Sequence, residues 1–396
     1  MKIQLEPAKI LSDQRNIPMK LKLILAGVLL TGVAWGQPEQ WLEYHTGDEN
    51  LAYQSIAITT NPPSGITAPQ CKATPYFGLW HTPMDAAGRW VCFDRSRKSG
   101  PYDLMYVDST GSGHLESQTP VKGRMDSYSA AFPAAAMTFK GEDGPITYHL
   151  SFRFYQYDNN QVQLLVSSAG WYEGTVDFGG VKKHIRLIDG NVNGTFNDLS
   201  ANPYDSDRVA IEGDKVDERY LGNLIEVDGR FFHLEVARDG AFVKVGPAEN
   251  VTLGTVQVPD NISRCSVYGP TGYFVRQPTN GEFTVPAGKY SVVRWSIDRK
   301  DDKGSPWTLA GYNFPDAARF DVAADAPATL KIGEPVQAEL KVREQGDRQI
   351  TFSLNFVGQQ KEAIELLHDG QRPRGPKLML AAADGAICYT NTFEFG

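Results

Sequence analysis

Cysteine is scarce. The 396-residue chain holds four, Cys71, Cys92, Cys265 and Cys388, and no two stand in a CxxC pair. That excludes thiolate zinc modules and the small disulfide-dense scaffolds of secreted domains. Seven histidines are scattered without an HExxH spacing, no GxSxG occurs, and no glycine-rich turn runs into Lys-Ser/Thr. Zinc-dependent hydrolysis, serine nucleophiles and phosphate loops therefore have no sequence signal. Basic excess is absent too: 39 Lys and Arg face 47 Asp and Glu, a formal net charge of −8, which leaves no electrostatic footprint for nucleic acid. No apolar run reaches the roughly 20 residues a membrane span needs. The stretch 23–33 is shorter, follows Lys20 and Lys22, and leads into Ala34-Trp35-Gly36, the layout of a cleaved export signal with a mature start at Gln37. Residues 1–18 are polar with both charge signs, so Met19 is an alternative start. The expectation is a protein that is secreted, periplasmic or at the cell surface, with no transmembrane anchor after signal cleavage; an uncleaved anchor is the alternative.

Glycine (38) and proline (24) are plentiful and well spread, and between them lie short alternating or β-branched runs. This pattern predicts a mainly β fold of several β-sandwich-like units, with hairpins and meanders and little helix. Segments 146–157 and 161–168 flank Asp158-Asn159-Asn160, and residues 176–178 turn through Gly179-Gly180 into 181–188, which reads as two hairpins. Asp228-Gly229 and Asp239-Gly240 separate three further runs into a meander across 223–245. Helix has only two weak candidates, the Ala-rich 125–137 and the segment 361–368, both poorly capped. Turn positions divide the mature chain into units 37–170, 171–245, 246–315 and 316–396, adjacent ones free to share a core.

Two stretches resemble known modules. Gly281-Glu-Phe-Thr-Val-Pro-Ala-Gly-Lys-Tyr290-Ser-Val is similar to the strand-turn-strand of transthyretin-like or carboxypeptidase-regulatory-like sandwiches. The resemblance implies that Phe283 and Val285 share a face, Pro286-Ala287-Gly288 turns the chain, and Tyr290 and Val292 pair back. It also implies a noncatalytic accessory role. The alternation at 336–342 and 350–356 resembles an immunoglobulin-like sandwich without its Cys and Trp spacing.

The most specific chemistry lies in Asp189-Gly-Asn191-Val-Asn193-Gly194-Thr195-Phe196, which resembles the start of an EF-hand-like or dockerin-type calcium loop. In such a loop, oxygens from the first, third and fifth residues meet one cation and glycine at the sixth permits the bend. The resemblance implies Ca²⁺ ligands at Asp189, Asn191 and Asn193, a carbonyl from Thr195, and an apolar anchor at Phe196. Ser200 stands where a bidentate Glu is expected, so Asp198, Asp205 and Asp207 are candidates for the missing carboxylate. Hard oxygen donors without His or Cys favour Ca²⁺ over zinc. A metal-free Asx-rich turn is the competing reading. A weaker copy follows the strand-like 104–107, with Asp108, Thr110, Ser112 and Glu116 in matching phase. Cys71 and Cys92 are spaced for a disulfide across strands flanking a turn at Gly88. His81 and Asp85, beside Trp80 and Trp90, form the densest polar and aromatic cluster; a packed core is its alternative reading. The sequence thus points to a calcium-stabilised binding or scaffolding protein whose partner is an extracellular protein or a glycan. An exported hydrolase with unidentified catalytic carboxylates is the alternative, and a purely structural domain a third.

Overall fold

Short apolar and alternating runs, separated by turns where Gly, Asn or Asp tolerates positive φ, yield a mainly β protein in the computed structural model. It describes residues 37–394 apart from 48–51, 142–143, 158–160, 215–217, 316–318 and 346–348. The expected signal segment 1–36, with Met19, and the turn at 158–160 lie outside the described residues. Two short 3₁₀ turns, Leu115–Ser117 and Pro203–Asp205, are the helical elements among those described.

Two five-stranded antiparallel meanders and a further five-stranded sheet form the first half. Tyr76–Thr82, Asp85–Asp94 and Leu104–Val107 run as one meander. Ser129–Lys140, Pro145–Gln156 and Val162–Ser168 form the centre of another sheet. Gly170–Asp177, Lys182–Ile188 and Arg208–Ile211 form the third, with Glu43–Thr46 paired on its outer side. A four-stranded sheet contains Leu224–Val227, Arg230–Val236 and Phe242–Pro247. Inward residues of all four merge into one core, including Trp80, Phe93, Met137, Tyr148, Phe154, Leu187 and Phe232. The sequence units 37–170 and 171–245 therefore draw on a shared interior.

A second core runs from Val256 to Ile332 and is closed by Trp295, Ile297, Val285 and Tyr290. Here Phe283, Val285, Tyr290 and Val292 are buried, and the chain turns at Pro286-Ala287-Gly288. The expected pairing back is corrected. Glu282–Pro286 pairs with Leu253–Gln257, whereas Gly288–Lys300 pairs with Arg264–Gly269 in the other sheet. Alternation specifies which side chains face the core and carries no information on which strand is the neighbour.

Both weak helix candidates are strands. Ser129–Lys140 sets its alanines opposite the large residues of Pro145–Gln156, Ala135 against Leu150 and Ala130 against Phe154. Small side chains there make room for aromatic ones, and this packing overrides helix propensity. Ala363–His368 is held by Pro306–Tyr312 along six residue pairs.

Candidate metal centre

Strand Lys182–Ile188 ends at Asp189, and its partner Arg208–Ile211 begins just after Asp207, with Ile188 opposite Arg208. The loop 189–207 therefore leaves and re-enters one hairpin, and its ends are pinched: a Cβ on Gly190 would sit 2.4 Å from the Ser206 carbonyl oxygen. Val192 holds φ at 58°, rare for a β-branched residue. Its carbonyl accepts from Trp80 Nε1 at 2.7 Å and Gln54 Nε2 at 2.8 Å, so two other sheets pin the strained peptide. Phe196 fills the apolar position, 2% exposed, edge-on to both Tyr148 and Tyr172.

Asp189 is fully buried and accepts from the amides of Asn193 (3.2 Å) and Gly194 (2.7 Å) and from the Tyr148 hydroxyl (2.8 Å). Asn191 Oδ1 takes the Asn193 amide, and Asn193 Oδ1 takes the Thr195 amide. Each ligand candidate thus folds its oxygen back over the next turn of the loop. Their other polar atoms meet at Asp198 Oδ2, which receives Asn193 Nδ2 (2.8 Å), Thr195 Oγ1 (2.7 Å) and Asn191 Nδ2 (3.3 Å). Asp207 accepts from the amides of Gly190 (3.0 Å) and Asp198 (2.7 Å), tying both sides of the loop together. Asp205 contributes only its carbonyl, to Asn191; its carboxylate turns outward to Asn202.

Burial raises the Asp189 carboxyl to about 6, against the amide and Tyr148 hydrogen bonds that favour its ionised form. Asp207 is raised well above the ordinary carboxylate range, first by burial and then by the charge of Asp189. Among the described residues, no Lys or Arg pairs with Asp189, Asp198 or Asp207. The donor set fits a hard cation in chemistry, being oxygen throughout, with uncompensated negative charge in a buried setting. Among the described residues no three His, Cys, Asp or Glu side chains converge to hold a metal by themselves. An ion here therefore requires the Asn and Thr oxygens, with the two Asn carboxamides turned so that oxygen replaces nitrogen beside Asp198.

The weaker loop repeats the same first step. Asp108, 1% exposed, accepts from the amides of Ser112 (2.8 Å) and Gly113 (2.7 Å), the fourth and fifth residues onward, as Asp189 does. Ser112 Oγ also turns to Asp108, whereas Glu116 pairs with His114 at 2.9 Å on the outside and Thr110 lies in the turn between. The loop closes as a capped turn. Cys71 and Cys92 carry free thiols in hydrogen-bond contact with each other, and burial raises both above the ordinary thiol range. The His81 cluster disperses: Trp80 points inward and stacks on Tyr148 (5.7 Å, 4°), His81 is exposed, and Asp85 is bound to Arg89, which holds its carboxyl low. Tyr148 and Trp80 are the braces of the loop 189–207. Nothing local in sequence marks them, because they sit 41 and 112 residues from their loop partners. Compared with family models, curated proteins and solved structures, the chain matches none.

Proposed function

We propose that this is an exported, calcium-stabilised β protein that works by binding or scaffolding outside the cytoplasm, its partner an extracellular protein or a glycan. One observation carries the metal reading: Asp189, Asp198 and Asp207 are linked through the hydrogen bonds of one loop, and no Lys or Arg among the described residues pairs with them. Charge of that kind is costly inside a protein, and a divalent ion removes the cost. Support for a noncatalytic role comes from burial. Asp189 and Asp207, whose proton affinity is raised, are at most 1% exposed beneath Tyr148 and the loop amides, out of reach of a polysaccharide or peptide substrate. Export is supported by the signal-like segment and by the closely apposed Cys71 and Cys92, which an oxidising compartment would join.

The test is a calorimetric titration of the purified chain with Ca²⁺ after chelator treatment. One ion per chain is expected, and Asp189→Ala removes the heat of binding; a flat trace for the unaltered protein refutes the reading. Extracellular sites often bind with Kd of roughly 10⁻⁴ to 10⁻³ M, so about 10 mM Ca²⁺ should stabilise the fold by about 1 to 3 kcal/mol.

A further inference from the structure

The eight-stranded sheet ends in a bare edge. Gln337–Gln345 pairs with Gln349–Val357 on one side, through nine consecutive residue pairs without a bulge, and with no strand among the described residues on the other. No proline interrupts it. Ala338, Leu340 and Val342 project to one face, opposite Phe356, Leu354 and Phe352. This apolar row continues from the second core through Leu309 and Ile364 but outruns its cover. Leu340 is 51% exposed, and Val342 and Ile350 are each 55% exposed. A long, straight edge strand with an exposed apolar row is a template for another strand.

We infer that a second copy of this chain docks here, by antiparallel pairing of Gln337–Gln345 with its own counterpart about a two-fold axis at Leu340. The order of charges and of apolar residues together selects occupant and register. Centred on Leu340, the pairing sets Glu339 against the partner's Lys341 and Lys341 against the partner's Glu339. On the other face it sets Ala338 against the partner's Val342 and Leu340 against the partner's Leu340. The two-fold register centred on residue 339 places Glu339 on Glu339; the one centred on residue 341 places Lys341 on Lys341 and, although it sets Glu339 against Arg343, it brings Ala338 of the apolar row against Glu344. A one-residue slip would bring apolar residues to the polar face. In the single chain Glu339 leans toward Lys361 at 3.7 Å, and Lys341 makes no ion pair among the described residues. The far edge strand, Gly272–Arg276, abuts residues 222–224, so pairing at one edge closes the assembly at two copies. The joined sheet would carry an unbroken apolar face across the axis. This inference is independent of the calcium loop.

Sedimentation of the purified full chain over a concentration series tests it. A reversible dimer is expected. Glu339→Lys and Lys341→Glu, both on the surface, should each weaken the dimer by about tenfold or more, since two attractive pairs become repulsive. The double swap of Glu339→Lys with Lys341→Glu should restore it. Independently of any variant, amide exchange of residues 337–345 should slow as concentration rises. A chain that stays monomeric to about 10⁻⁴ M overturns the inference, as does a dimer indifferent to the single reversals or an exchange rate at 337–345 that ignores concentration.

Discussion

Asp189 shows how one side chain sets the behaviour of a loop. Burial lifts its carboxyl from the ordinary 3.8 to about 6, so the fold disfavours the ionised form. Between those values the folded state holds more protons than the unfolded one, and stability must fall as pH rises. In chelator, urea midpoints should drop between pH 4 and about 6, a loss of about 3 kcal/mol from this group alone. Asp207 acts in the same direction. Asp189→Asn should make the fall shallower, leaving the part that Asp207 supplies, and a wild-type profile that climbs through this window would contradict the assignment. Tyr148→Phe removes the only side-chain donor to Asp189 in the network described above and should cost about 1 to 3 kcal/mol in denaturant titrations. The loop residues were legible because Asx turns are local: Asp189, Asn191 and Asn193 each act on neighbours two to five residues away. Tyr148, Trp80 and Gln54 were not, because their positions depend on how whole sheets stack.

Among the elements, the hairpins were the most readable. The expected runs 146–157 and 161–168 appear as Pro145–Gln156 and Val162–Ser168, and the meander across 223–245 appears as Leu224–Val227, Arg230–Val236 and Phe242–Pro247. Turn chemistry and alternation agree there. They fail where composition misleads, as in Ser129–Lys140, and where a turn crosses between sheets, as at Pro286-Ala287-Gly288. The immunoglobulin-like alternation of 336–342 and 350–356 likewise gives real strands whose apolar row is left open. Cys71 and Cys92 carry a prediction at this scale. Oxidation, with two electrons passing to a disulfide such as oxidised glutathione, should join them and close a loop worth about 3 kcal/mol. Thiol counting should show two free thiols fewer in oxidised protein, and reductant should lower its Tm. Four titratable thiols after oxidation would contradict this.

Over the whole molecule the loop 189–207 stands where the pieces meet. Trp80 and Gln54 hold it from two sheets of the first half, and Arg238 accepts the Phe196 amide through its carbonyl. From the strand Arg264–Gly269, whose Val267 belongs to the second core, Tyr268 places its hydroxyl 2.6 Å from Ser206 Oγ and 3.2 Å from the Leu221 carbonyl. Asp207 receives the Leu221 amide on its own carbonyl, completing the tie. A cation in this loop would therefore stiffen the junction between two cores, not merely a surface turn. Residue-resolved hydrogen exchange with Ca²⁺ and with chelator tests that most directly. The account predicts that Ca²⁺ slows exchange at the amides of Gly190, Asn193, Gly194, Thr195, Asp198 and Leu221, while strands inside each core change little. Identical exchange at those six amides in both conditions would contradict it.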